Sequence, residues 1–149
     1  MDHSGRKREL HIEKALDVID FHTDPGSTLN GLKVEEPGGL RILYVACDYF
    51  AMEELRIQGD MELAMDGKRF QILTCIDGQG TIDYGDGREA LPSGISCLLP
   101  ASLSRVSISG NCTVIRSYVP NKEENIIKPL LKRGYTEKQL DIVAGLMEG

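Results

Sequence analysis

Glu53 and Glu54, three histidines and four cysteines are the side chains here best suited to acid–base, nucleophilic or metal chemistry, and their spacing decides what each can do. Two carboxylates can divide the roles of acid and base. Neighbouring strand residues point to opposite faces, however, so Glu53 and Glu54 would not face one substrate together. A solvated edge strand is the expected setting, where charge also discourages pairing with other chains. His3, His11 and His22 all fall near the N-terminus. His11 and His22 would stand about three helical turns apart, so no shared metal site is expected of them. Cys47, Cys75, Cys97 and Cys112 are widely spaced with no C-x-x-C pair. They are expected as small buried apolar groups inside strands, with neither a zinc knuckle nor a disulfide required. Ser102, Ser104, Ser107 and Ser109 have no neighbouring histidine and no nucleophile elbow. Gly78-Gln79-Gly80 and Gly85-Asp86-Gly87 read as hairpin turns, and neither opens a phosphate-binding helix.

The elements that would carry these residues are mostly strands. From Arg69 to Gly110 short apolar runs alternate with Gly, Asp and Pro turns, the pattern of an antiparallel sandwich or barrel. Phe70, Ile72, Thr74 and Ile76 alternate with Gln71, Leu73, Cys75 and Asp77, giving one strongly apolar face and one mixed face. Asp77 to Gly80 is expected to break that run, with a second short strand over Thr81 to Tyr84. Before this stretch, Leu40 to Tyr49 is a long apolar strand and Phe50 to Ile57 a half-buried, edge-like one; a final strand falls within residues 111–120. Leu10 to Phe21 has helical periodicity, with Ile12, Ala15, Leu16 and Ile19 on one face, and should lie on the sheet. Lys122 to Arg133 reads as helix with a break at Pro129. Thr136 and Gln139 form a capping box ahead of a stripe of Leu140, Val143, Ala144 and Met147, which either packs on its own barrel or docks a partner. The expected division is residues 1–28 as linker and surface helix, 29–120 as barrel, and 121–149 as a two-helix extension.

Bulk properties bound the function. The chain has 149 residues, 41% of them hydrophobic, enough for one domain with a real core. A formal charge of −6 argues against a nucleic-acid footprint, which needs a concentrated basic face. No apolar run approaches the roughly 18 residues of a membrane span, and the polar start MDHSGRKREL does not read as a signal peptide. A cytoplasmic protein is expected.

Gly78, and Gly94 followed by Pro100, resemble in spacing the first motif's closing Gly and the second motif's G-x5-P of cupins, the small jelly-roll barrels. The resemblance implies an all-β jelly-roll. The metal ligands of that pattern are missing: Gln71 stands where the Glu ligand should be, the H-x-H falls within Ala64 to Gly67, and Ser102, Arg105 and Ser109 replace the Gly, His and Asn of the second motif. Metal binding needs converging imidazole, carboxylate or thiolate donors, so none is expected here.

Three further stretches, RELHIEKALDVI, FQILTCIDGQGTI and LPSGISCLLPASLSRVSISG, are similar, in that order, to the C-terminal jelly-roll half of bacterial type I mannose-6-phosphate isomerases. The resemblance covers roughly residues 6–118. In that family a zinc ion bound in the N-terminal half interconverts mannose 6-phosphate and fructose 6-phosphate, and this chain is expected to start after those ligands. No catalytic, cofactor or metal residue is therefore expected. Two readings stay open. In one the chain is a non-catalytic accessory cupin supporting a zinc domain on another chain. In the other it is a stand-alone, metal-free cupin that binds a sugar phosphate or other small anion, with Arg105 pointing into the barrel and Gln71 across from it. Against the second stands an Arg105 that pairs with an acidic neighbour or leans out at the barrel mouth. A homodimer is expected only by analogy with cupins.

Overall fold

The computed structural model describes residues 11–19 and 30–147. His3, His22 and both ends of the expected Leu10–Phe21 helix lie outside them. The described part of that helix, α1 (Ile12–Val18), buries none of its residues, so its apolar face is not seated on the sheet as expected.

Seven antiparallel strands follow: β1 (Leu32–Glu36), β2 (Gly39–Ala46), β3 (Ala51–Leu63), β4 (Gln71–Asp83), β5 (Arg88–Pro92), β6 (Ser96–Leu99) and β7 (Val106–Tyr118). They form one sheet in the order β1-β2-β3-β7-β4-β5, with β6 paired to the first half of β4. The sheet is cupin-like and all-β. β3, β4 and β7 are each 13 residues long, and each carries a glycine where the three cross: Gly59 opposite Gly110, and Gly110 opposite Gly80. Gly110 has φ +128, and a Cβ there would lie 2.6 Å from the Gln79 carbonyl oxygen. This row lets the three long strands approach one another closely without ending.

The expected break at Asp77 to Gly80 is instead a bulge inside β4. Its register against β7 shifts between Cys75 and Asp77, and Gly78 takes φ +74. The extra residue changes which alternate positions face inward, from Gln71, Leu73 and Cys75 before it to Gly80 and Ile82 after it. The inward face is thus the mixed one, and Phe70, Ile72 and Ile76 are exposed. Nor is β3 an edge strand, since it lies between β2 and β7.

The barrel interior is filled by Leu55, Ile57, Met61, Leu63, Leu73, Cys75, Ile82, Leu91, Leu99, Val106, Ile108, Cys112 and Val114. A second core forms where the C-terminal tail closes over β1 and β2. The tail runs from a π-helical segment (Lys122–Ile127) directly into α2 (Lys128–Lys132), with Pro129 in the first turn of α2. Then α3 (Glu137–Leu140) starts on the Thr136–Gln139 capping box. It is shorter than the expected stripe: after Leu140 the chain turns, and Leu146 rather than Met147 is buried. Ile126, Leu130, Leu140, Val143 and Leu146 pack on Leu32, Val34, Leu43, Ala46 and Ala51. Ala144 exchanges backbone hydrogen bonds with Tyr44 and Ala46, extending the sheet beside β2. The tail therefore packs on its own barrel.

Among the described residues, no helix is long and apolar enough to cross a membrane.

Candidate functional site

Between the two apolar cores lies a polar layer. Alternation on β3 turns Ala51, Glu53, Leu55 and Ile57 inward, and on β7 Cys112, Val114 and Arg116. Glu53 stands directly opposite Arg116, so a carboxylate and a guanidinium meet inside the barrel end. Gln71, the first residue of β4, joins them diagonally.

Arg116 is held on every side. Its Nε donates to Gln71 Oε1 at 2.9 Å, its Nη1 to Glu53 Oε2 at 3.3 Å and its Nη2 to the Ala64 carbonyl at 3.1 Å. The guanidinium carbon lies 4.5 Å from the centre of the Tyr118 ring, a cation–π contact. The Tyr118 hydroxyl donates to Glu53 Oε1 at 2.6 Å, and Gln71 Nε2 donates to the Ala64 carbonyl at 2.8 Å. Burial, then the neighbouring Glu53 charge, push the Tyr118 phenol well above the usual tyrosine range, so it remains a donor. The side chains of Glu53 and Arg116 are 0% and 7% exposed, which makes this a buried ion pair.

Outside the layer a cavity of about 300 Å³ opens between barrel and tail. Arg41, Arg69 and Arg116 line its barrel side and Asn125 and Arg133 its tail side, with the carboxylates Glu36, Asp66 and Glu124 among them. Arg133 Nη1 donates to Glu36 at 2.8 Å and Nη2 donates to the Glu35 carbonyl. Arg69 donates to Asp66 at 2.9 Å. Burial works against the Asp66 charge, but the Lys68 and Arg69 backbone N–H groups and the Arg69 guanidinium together hold its carboxyl below the usual range. Arg41 differs from all of these. Its Nε lies 3.5 Å from Glu36 and its Nη1 lies 4.0 Å from Glu53. Neither approach is a hydrogen bond, and its Nε is the one buried side-chain nitrogen or oxygen without a partner among the described residues.

The residues singled out in the sequence are not brought together. Gln71 is buried in the barrel, but its partner is Arg116. Arg105 lies outside, donating to Glu62 at 2.7 Å with 76% of its side chain exposed. The inward Arg105 facing Gln71 is thus corrected to an outward one: it stands just before β7, where it meets solvent and Glu62. Glu53, expected at a solvated edge, is fully buried, whereas Glu54 takes the Tyr44 hydroxyl and Arg56 on the outer face. Arg116 and Arg41 carry no motif in the sequence, although Arg116 shares the alternation of Cys112 and Val114.

These donors do not fit zinc. The barrel end offers one carboxylate, one amide and one phenol beside two guanidinium groups. Both Glu53 oxygens already accept hydrogen bonds, and the Arg116 cation repels a second cation. His11 is exposed on the N-terminal side. The thiols add no ligand set: Cys75 and Cys112 are buried, and burial, then the adjacent Cys75, push Cys112 up to about 11. Cys75, Cys97 and Cys112 lie in strands, and Cys47 just past the end of β2. Among the described residues no group of three or more His, Cys, Asp or Glu could hold a metal ion.

The family model for "Mannose-6-phosphate isomerase, cupin domain" matches residues 41–119. YvyI of Bacillus subtilis (strain 168) is 31% identical over 125 residues, 80% of this chain and 37% of that protein. Mannose-6-phosphate isomerase ManA of the same organism is 27% identical over 119 residues, 79% of this chain and 37% of the relative. The crystal structure of the mannose 6-phosphate isomerase from Bacillus subtilis superposes with a TM-score of 0.59 at 31% identity, covering 78% of this chain and 37% of that one. This chain thus spans little more than a third of the length of the relatives it matches.

Proposed function

The chain belongs to the family of mannose-6-phosphate isomerase cupin domains, and from that premise we propose that it is a non-catalytic accessory cupin supporting a zinc-bearing catalytic half. The observation that carries this reading is the filled barrel. Thirteen buried apolar side chains occupy the interior, and its polar end is closed by the mutual satisfaction of Glu53, Gln71 and Arg116. Interconversion of an aldose and a ketose needs a group that polarises the carbonyl oxygen and a base that moves a proton between adjacent carbons. The barrel interior presents neither: its carboxylate is bound on both oxygens, and burial raises the Cys97 and Cys112 thiols away from the thiolate form. What the fold offers is a packed body, with the tail tied to it through an apolar core. The cytoplasm is the proposed compartment, where the four thiols stay reduced.

A coupled mannose-6-phosphate isomerase assay on the purified chain, with metal content measured on the same sample, tests the reading. No turnover is expected with or without added zinc. A chimaera in which this chain replaces the matching segment of ManA is expected to turn over. Zinc-dependent turnover by the chain alone, abolished by a chelator, would overturn the accessory role. So would a folded chimaera that binds zinc but is inactive.

A further inference from the structure

We propose that the cavity between barrel and tail binds a small molecule through its oxyanion group, with the Arg41 guanidinium as the anchor. Arg116 is engaged by three acceptors, Arg133 by Glu36 and the Glu35 carbonyl, and Arg69 by Asp66. Arg41 alone makes no hydrogen bond among the described residues, although only 15% of its side chain is exposed. A buried donor left without a hydrogen bond is costly, even where its charge is paired as Arg41 is with Glu36 and Glu53. Glu36 and Glu53 offset its charge, but their hydrogen bonds go to Arg133, and to Arg116 and Tyr118, and neither accepts one from Arg41. A planar guanidinium fork matches the paired oxygens of a phosphate or carboxylate. The cavity, about 300 Å³, has the volume of a small-metabolite site. Arg133 and Asn125 come from the tail and Arg41 from β2, so an occupant would touch both and fasten one to the other. The site stands independently of the accessory role, since binding is measured without turnover.

Isothermal titration of the full chain with inorganic phosphate, gluconate and mannose tests it, the first two separating a phosphate from a carboxylate source. One saturable site is expected for at least one anion and none for mannose. Arg41→Gln should weaken that binding by about tenfold or more, the worth of a charge-assisted pair, with Arg41→Lys recovering part of it. Circular dichroism verifies the fold of each variant. Should Arg41→Gln fail to fold, Arg133→Gln, on a half-exposed side chain, provides the second reading, with an expected loss of about threefold. No saturable binding below about 10 mM of either anion would overturn the proposal. So would affinity unchanged in both variants, or mannose binding as well as the anions.

Discussion

Two glutamate–arginine pairs connect β3 with the beginning and end of the β7 region, and they have little in common beyond their chemistry. Glu53 and Arg116 face inward with their side chains 0% and 7% exposed, whereas Glu62 and Arg105 face outward at 69% and 76%. The inner pair is hydrogen-bonded further by Gln71, Tyr118 and Ala64; the outer pair has water. Position on the sheet, through a strand period of two, decides whether the same two residue types organise a core or decorate a surface. A buried pair is a demanding construction: removing one partner strands the other, while replacing both with apolar groups can be nearly neutral.

The strongest test breaks the inner pair. Glu53→Ala leaves the Arg116 charge desolvated and is expected to cost about 3–5 kcal/mol in urea unfolding. The double variant Glu53→Leu with Arg116→Met should recover most of that loss. A single-variant cost under about 1 kcal/mol would mean that water reaches Arg116 and that the two pairs differ less than their burial implies.

Tyr118→Phe sharpens the comparison by removing one donor and keeping both charges. Loss of the 2.6 Å hydrogen bond to Glu53 should cost about 1.5–3 kcal/mol at neutral pH. It should also change the alkaline limb. The folded-state phenol is raised above 10.0 by burial and by Glu53, so its contribution is fully present below that value. As pH rises through the unfolded-state value, the unfolded chain releases a proton that the folded chain keeps, and stability falls. Unfolding measured between pH 8 and about 11 should therefore show a shallower decline in the Phe variant than in the wild type. Equal slopes would mean that Tyr118 is not shielded by the polar layer.

Much of the fold was legible, because turn residues and apolar runs mark strands wherever they occur. The strands and the Thr136 cap follow from local chemistry, whereas the expected break at Pro129 is absent, the helical segment running on into α2. What local chemistry concealed was phase. The Phe70-Ile72-Ile76 face is the more apolar one, yet it is exposed, because Gln71 is committed to Arg116, a residue 45 positions away. Gly78 reads as a turn in isolation and becomes a bulge only when β7 runs past it. The candidate site suffered in the same way. Spacing drew attention to Arg105 and Gln71, but Arg105 precedes its strand and turns outward. Glu53 could have been placed inward by its alternation with Ala51, Leu55 and Ile57. Arg41 gave no local signal, since its setting depends on a tail about 90 residues downstream, which only the packed core brings near.

The outer pair provides the smallest expected effect and the sharpest control. Arg105→Ala removes a guanidinium that holds Glu62 in full contact with solvent, where side-chain entropy and salt screening offset most of the Coulomb gain. The expected change in unfolding free energy is under about 0.5 kcal/mol, and added salt should erase it. Phosphate and gluconate titrations of the same variant should match the wild type, because Arg105 does not line the cavity. If Arg105→Ala cost more than about 1 kcal/mol, or weakened anion binding as Arg41→Gln is expected to, the division between an organising interior and an indifferent surface would fail, and the motif position of Arg105 would regain the role that its outward geometry denies it.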